Sequence, residues 1–406
     1  MSPKFYGQVG TRCYVPTAIG DNLQYQFQSG HDIYAPTGGI ATLYFCEANF
    51  WVSPASTPAY LDSATGGTLT ASMGVEYPAG SGTYYRPTWP GGAASTVIGD
   101  KSVAWAKLSL ALPAGKSRIN LIRRLQNSNV IALNRQANGA RRYLTGGDVA
   151  ETSTVDKTLT GGLVDNGGDF MIWPAAIVAL TDQVSCLFNG DSRTIGERDA
   201  TPTNEHQGQL AHSLGPLFPY INMGVAGQPY VDFSQNPLRA ALAKYCTTFL
   251  DANGYNSRVL SAAAMYAAAH AEANFFSPRE AWFATIYPGA TSTNGFIDTA
   301  HQTTDGFNAN RTGANDLFRA DPRCLEIADL LESSRNSGLW LPHNPGYTDA
   351  DDGVHANSSG VVLVDLSSAF SPTLTNPTSF MPMIAPTDSP AGPVTPTPFF
   401  QLGVNF

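Results

Sequence analysis

The stretch Val184-Ser-Cys-Leu-Phe-Asn-Gly-Asp-Ser-Arg-Thr-Ile-Gly196 decides how the chain is read. Val184 to Phe188 is a short apolar run, as in a strand buried on both faces, and Asn189-Gly190 ends it with turn chemistry. Gly190-Asp191-Ser192 then puts a hydroxyl where the chain leaves the strand, and the short polar residues that follow open a helix. In an α/β sheet the carboxyl end of a strand is where reacting groups gather. A serine there can be approached by a base, and amides at a helix start can help hold an oxyanion. The tripeptide alone is common in proteins, so its meaning depends on partners elsewhere in the chain.

Downstream, strand and helix patterns alternate. Tyr220 to Ala226 reads as a strand running into a turn, and Thr247 to Leu250, Ala281 to Tyr287 and Gly338 to Pro342 read as strands. Pro237 to Tyr245, Val259 to Ala273 and Asp316 to Ser333 read as helices, the last broken or begun near Pro322, and Val361 to Val364 as a buried helical face. Such a succession predicts a parallel sheet flanked by helices. Upstream, the signals are those of an all-β region: Asn22–Gln28, Thr42–Cys46, Gly67–Met73, Val103–Leu110, Ser117–Arg124 and Asn129–Leu133 are short runs rich in β-formers, separated by Gly/Pro/Ser/Thr clusters. They predict a β-sandwich of jelly-roll type. Gly161 to Gly168 is the candidate hinge, and Phe170 to Leu180 fits either side. The expected division is 1–178, 179–370 and a Pro-rich arm, 371–406, which holds 8 of the 28 prolines.

Composition narrows the function classes. Only 14% of the 406 residues are charged, against about a quarter in ordinary globular domains. Low charge with 39 Gly and 11% aromatics suits a β-rich secreted or virion-type surface. No run of 18 apolar residues predicts a transmembrane helix, and Met1 to Tyr6 lacks the apolar core of a signal peptide. Residues 1–178 carry 13 basic and 11 acidic side chains, net +2, and residues 179–406 carry 10 and 21, net −11. Without a basic stripe, nucleic acid is not an expected partner. Cys13, Cys46, Cys186, Cys246 and Cys324 show no metal-ligand spacing, so no zinc is expected; a Cys13–Cys46 disulfide is left open.

Two further stretches supply partners for Ser192. Asp352-Gly-Val-His355 sets a carboxylate and an imidazole three residues apart on a tight turn. The imidazole can take the serine proton while the carboxylate fixes its tautomer, and the spacing selects Asp352 over the adjacent Asp351. In Asn222-Met-Gly-Val-Ala-Gly-Gln228, a glycine just past a strand end lets a backbone N–H approach an oxyanion; Gly227 fits that role, and Gly224 serves strand packing.

With these residues in place the chain resembles the SGNH (GDSL-type) hydrolases. That family shows Gly-Asp-Ser, an Asn-x-x-x-x-Gly turn, a Gly-x-Asn-Asp turn and Asp-x-x-His, in this order. Here they are Gly190-Asp191-Ser192, Asn222 to Gly227, Gly254-Tyr255-Asn256-Ser257 and Asp352 to His355, within roughly residues 180–366. The resemblance implies a three-layer α/β/α domain with a flavodoxin-like parallel sheet. It implies Ser192 as nucleophile, His355 as base and Asp352 as its orienter. Gly227 (backbone N–H) and Asn256 (side-chain amide) are implied as oxyanion donors beside the N–H of Ser192.

The third block departs from the pattern, with Ser257 in place of the acidic residue. A literal Gly313-Ala-Asn-Asp316 exists, but no apolar strand precedes it, and Asn315 or Asp316 reads better as a helix N-cap. Asn256 follows a strand and stands 64 residues after Ser192; Asn315 is the alternative.

Arg193 could hold an acidic group of a substrate or simply pair with a carboxylate. Trp51, Tyr84, Tyr85 and Trp89 could stack on sugar rings, although core packing is their ordinary role. His212, His270 and His343 read as structural. The expected activity is that of a serine esterase working through an acyl-enzyme, with no metal or organic cofactor. By analogy with carbohydrate esterases, which also join a β domain to this fold, the expected substrate is an O-acetylated glycan. A lipolytic or aryl-ester hydrolase would share every catalytic residue. A non-catalytic glycan-binding virion or surface protein on the same scaffold is the remaining alternative; Ser257 favours it and the four blocks oppose it.

Overall fold

The computed structural model describes residues 4–20, 24–56, 58–133, 148–165, 171–199, 205–374 and 376–386. The protein is mixed α/β, and the serine strand, Cys186–Gly190, lies inside a six-stranded parallel sheet. Its neighbours are Tyr220–Asn222 on one side and Thr248–Ala252 on the other, and Glu280–Ala284 and Cys324–Leu325 continue the sheet. Numbered along the chain from the serine strand, the order is 2-1-3-4-5, the flavodoxin-like arrangement, in which ligands sit where the order reverses. Every residue of Cys186–Gly190 is buried, as expected of a strand covered on both faces.

One strand of this sheet was not anticipated. Cys13–Tyr14, from the N-terminal region, adds to the outer edge beside Tyr220–Asn222. Most strand residues of the N-terminal region lie in two antiparallel sheets. The first runs Phe5–Gln8, Ala176–Thr181, Ile40–Asn49, Ser102–Leu112; the second centres on Leu69–Glu76, Gly115–Asn127 and Gln24–Ala35. Ala176–Thr181 spans the expected boundary at 178/179 and belongs wholly to the first sheet. Buried residues of all three sheets join one hydrophobic core. The start of the C-terminal arm lies against the same body: Tyr6 N donates to Pro382 O at 2.8 Å. The rest of the arm, and 166–168 of the expected hinge, lie outside the described residues.

Several element expectations are corrected. Within Tyr220 to Ala226 the strand is short, Tyr220–Asn222, and the turn begins at the Asn222 side chain: Oδ1 accepts from Gly224 N at 2.9 Å and Nδ2 donates to Thr194 O at 3.0 Å. The helix expected from Asp316 to Ser333 is broken near Pro322 as read, but its first part starts earlier, Asn308–Arg319, and the sheet strand Cys324–Leu325 separates it from Ala328–Leu331. Gly338 to Pro342 contributes only a bridge between Glu332 and Trp340, since Trp340 N is taken by the Gln302 side chain. The left-open Cys13–Cys46 disulfide is absent: both thiols are free, on different sheets, and Cys13 Sγ is bonded by the Gln8 amide at 3.0 Å.

Candidate active site

The turn after the serine strand is unusually tight. A Cβ on Gly190 would come within 1.9 Å of Thr194 Oγ1 and 3.1 Å of Ala252 O, so only glycine lets the chain bend there. Asp191 caps the following four-residue helix, Ser192–Ile195, its Oδ1 accepting from Arg193 N at 2.9 Å. Ser192 therefore occupies the first helical position. Asp191 is fully buried, and burial pushes its carboxyl above the ordinary value despite Arg193 and His355 nearby.

His355 lies in the loop closed by the Thr348–Ala356 bridge. Gly353, at φ +63°, passes so close to Ala290 O that a Cβ would lie 1.8 Å from it, which fixes the turn carrying Asp352 and His355. Asp352 Oδ1 accepts from Val354 N at 2.7 Å and His355 N at 3.0 Å. The His355 ring then spans two partners: Nδ1 is 2.8 Å from Asp352 Oδ2 and Nε2 is 2.7 Å from Ser192 Oγ. Burial pushes the Asp352 carboxyl up, but the His355 ring and the two backbone N–H groups outweigh it and bring it down to about 2. Asp352 is thus a carboxylate through the physiological range, able to fix the imidazole with its proton on Nδ1 and its lone pair toward the serine.

Two residues flanking this pair went unnoticed in the sequence. Arg198 sets Nε 3.1 Å from Asp352 Oδ2, with Asp349 and Asp351 at 3.5 Å, and holds a left-handed backbone at φ +71°. Glu197 places Oε2 3.6 Å from His355 Nε2, and burial raises its carboxyl. Their only sequence signal was position, five and six residues past the serine.

Gly227 adopts φ +77°, a conformation that favours glycine. Asn256 lies in the turn after Thr248–Ala252, its Nδ2 donating to Asp191 Oδ2 at 3.1 Å. That bond uses one amide hydrogen and orients the other.

Arg193 does not face a substrate. It is buried, donates to Tyr287 O at 2.7 Å and Pro288 O at 2.9 Å, and lies between the rings of Tyr255 and Tyr287 at 3.6 and 3.8 Å. Asn315 is not an N-cap: it lies within Asn308–Arg319, and its amide is used up on both backbone groups of Ile286. His270 has an acidic neighbour, Asp321 at 3.5 Å. Trp89 is buried, whereas Trp51, Tyr84 and Tyr85 are half-exposed. Beneath the serine strand, Asn189 Nδ2 joins the buried carboxyls of Asp251 and Glu272 at 3.1 and 2.8 Å, and burial raises both. Among the described residues no group of three or more His, Cys, Asp or Glu is placed to hold a metal ion, and no helix is long and apolar enough to cross a membrane.

No family model matches the chain, and no curated protein does. Solved structures do. A GDSL-like lipase from Bacteroides thetaiotaomicron is 15% identical, covering 46% of this chain and 86% of its own, with a TM-score of 0.31. A carbohydrate acetylesterase from Sinorhizobium meliloti is 14% identical over 45% of this chain and 94% of its own, TM-score 0.30. A Bacillus subtilis protein is 12% identical over 84% of this chain and 79% of its own, TM-score 0.33. These are likenesses of shape, and the chemistry rests on the site itself.

Proposed function

We propose that the chain is a serine ester hydrolase acting through Ser192, His355 and Asp352. The observation that carries this is the unbroken hydrogen-bond line from Ser192 Oγ through the His355 ring to Asp352, at 2.7 and 2.8 Å, at the carboxyl end of a parallel strand. Ser192 Oγ attacks the ester carbonyl as His355 Nε2 takes its proton. Asp352 stabilises the imidazolium. The backbone N–H groups of Ser192 and Gly227 and the Asn256 amide hold the oxyanion. The imidazolium then returns the proton to the leaving alcohol. Water activated by His355 attacks the acyl-serine and releases the acid. Every step is carried by residues of this chain.

In this reading, the chain from just after Thr181 to 370 is a three-layer catalytic domain and the chain before it a β-sandwich, with the arm from 371 beside them. The preferred substrate is an O-acetylated, uncharged glycan. The net charge of −11 over residues 179–406 repels polyanions, and half-exposed Trp51, Tyr84 and Tyr85 offer ring faces to sugars. A non-catalytic scaffold would have no need to keep the serine, imidazole and carboxylate in line. The test is acetate release from acetylated xylan and hydrolysis of 4-nitrophenyl acetate by the full chain. Loss of both activities in Ser192→Ala supports the reading, and equal rates in the two proteins contradict it.

A further inference from the structure

A hairpin of the N-terminal region, Trp51–Ser53 paired with Leu61–Ser63, brings Tyr60 to Gly227. At its turn Tyr60 has φ +64°, which a bulky side chain rarely adopts. Three bonds hold that conformation in place. Tyr60 N donates to Ser53 O at 2.7 Å, Leu61 N to Ser56 Oγ at 3.0 Å, and the Arg239 guanidinium to Tyr60 O.

Arg239 is the centre of a buried polar knot that ties the hairpin to the nucleophile turn. Its Nε donates to Asp62 Oδ1 at 3.0 Å, with neither side chain exposed. Asp62 Oδ2 also accepts from Leu238 N at 2.8 Å and Arg239 N at 3.2 Å, and Asp62 N donates to Asn236 Oδ1 at 2.9 Å. Arg239 Nη1 reaches Gln228 Oε1 at 2.8 Å, and Gln228 Nε2 lies 3.4 Å from Gly190 O, the residue before Asp191. One guanidinium thus fixes Tyr60, the residue after Gly227, and the serine turn together.

The effect of this knot is to set the Tyr60 hydroxyl over Gly227. A Cβ built on Gly227 would lie 2.8 Å from Tyr60 Oη, so the phenol fills the space a side chain there would take. The ring is half-exposed, and its hydroxyl is within electrostatic reach of Asp191. Strain retained on a partly exposed aromatic, at such a position, is typical of a functional site.

We propose that Tyr60 is a substrate-contacting residue of the hydrolytic site, its phenol over Gly227 forming the wall that limits the acyl group to a short chain. The proposal rests on the esterase reading. The leaving alcohol takes its proton from His355, which is flanked by Glu197 and Arg198, so the alcohol departs on that side. Tyr60 stands over Gly227, within electrostatic reach of Asp191. An acyl chain begins one bond past the carbonyl carbon whose oxygen Gly227 N–H would hold, so its first carbons meet the phenol. The N-terminal region is therefore part of the pocket, through Tyr60.

The test is the acyl-length profile of the full chain on 4-nitrophenyl acetate, butyrate and hexanoate, with Tyr60→Ala and Tyr60→Phe. Tyr60→Ala is expected to raise the hexanoate-to-acetate ratio of kcat/KM by about tenfold or more, the scale on which a pocket wall discriminates methylenes. Tyr60→Phe, which removes only the hydroxyl, shifts the ratio the same way by less and guards against misfolding of the alanine variant. If Ser192-dependent hydrolysis persists but both variants keep the ratio of the unaltered chain, Tyr60 merely packs and the proposal is overturned. If no ester is hydrolysed in a Ser192-dependent way, the esterase reading fails first and this proposal with it.

Discussion

Replacing Asp352 by Asn is the most informative perturbation short of removing the nucleophile. The carboxylate accepts His355 Nδ1–H on Oδ2 at 2.8 Å while Oδ1 serves the N–H groups of Val354 and His355. A carboxamide has one acceptor oxygen. If that oxygen keeps the two backbone donors, an NH2 group faces Nδ1. The imidazole must then carry its proton on Nε2, where it cannot accept from Ser192. Mispairing of this kind costs a serine hydrolase about 10⁴ in kcat, roughly 5 kcal/mol of barrier.

The same substitution has a stability signature. Asp352, with only 8% of its side chain exposed, titrates at about 2 rather than the ordinary 3.8, and at about 1.4 kcal/mol per pH unit the difference is about 2 kcal/mol. Its folded pKa is depressed, so the unfolded chain takes up the proton first as the solution is acidified. The stabilisation is complete above about pH 4 and is lost as the pH falls through 2. Urea unfolding between pH 5 and 2 should therefore show the unaltered chain losing about 2 kcal/mol that D352N does not. A variant that keeps ester hydrolysis within tenfold, with unchanged acid stability, would refute the role given to Asp352.

Asn256→Ala should lower kcat by about 10²–10³ with KM little changed, since the amide is assigned to the oxyanion rather than to ground-state binding; steady-state kinetics on 4-nitrophenyl acetate checks this. Asp62→Ala leaves the Arg239 guanidinium buried without its carboxylate, and should cost about 3–5 kcal/mol in denaturant unfolding. The double replacement Asp62→Leu with Arg239→Met should recover most of that stability. It should not restore the acyl-length profile, because Tyr60 would still lack its tether.

What could be read from the sequence follows from how local each signal was. The parallel sheet was legible because Cys186-Leu-Phe188 and Phe249-Leu250 are short apolar runs, each followed closely by turn-forming residues. The proximity of Asp352 to His355 was legible because a tight turn sets it within four residues. Contacts made across the chain were not. Arg193 follows the serine in sequence, yet tertiary packing draws it between Tyr255 and Tyr287. The Asn315 stretch matches a motif literally, but the helix begins seven residues earlier, at Asn308. Cys13–Tyr14 joins the parallel sheet across more than 200 residues, and Tyr60 reaches Gly227 over a comparable separation. No periodicity in a strand or turn can announce such pairings.

Covalent labelling of Ser192 tests the central claim most directly. A fluorophosphonate reacts with a serine hydroxyl only where a base activates it and donors hold the phosphoryl oxygen. Mass spectrometry of the labelled full chain should show one adduct, mapped to the peptide containing Ser192, and no adduct in Ser192→Ala or His355→Ala. An unlabelled native chain, or an adduct that persists at another residue in Ser192→Ala, would contradict the account.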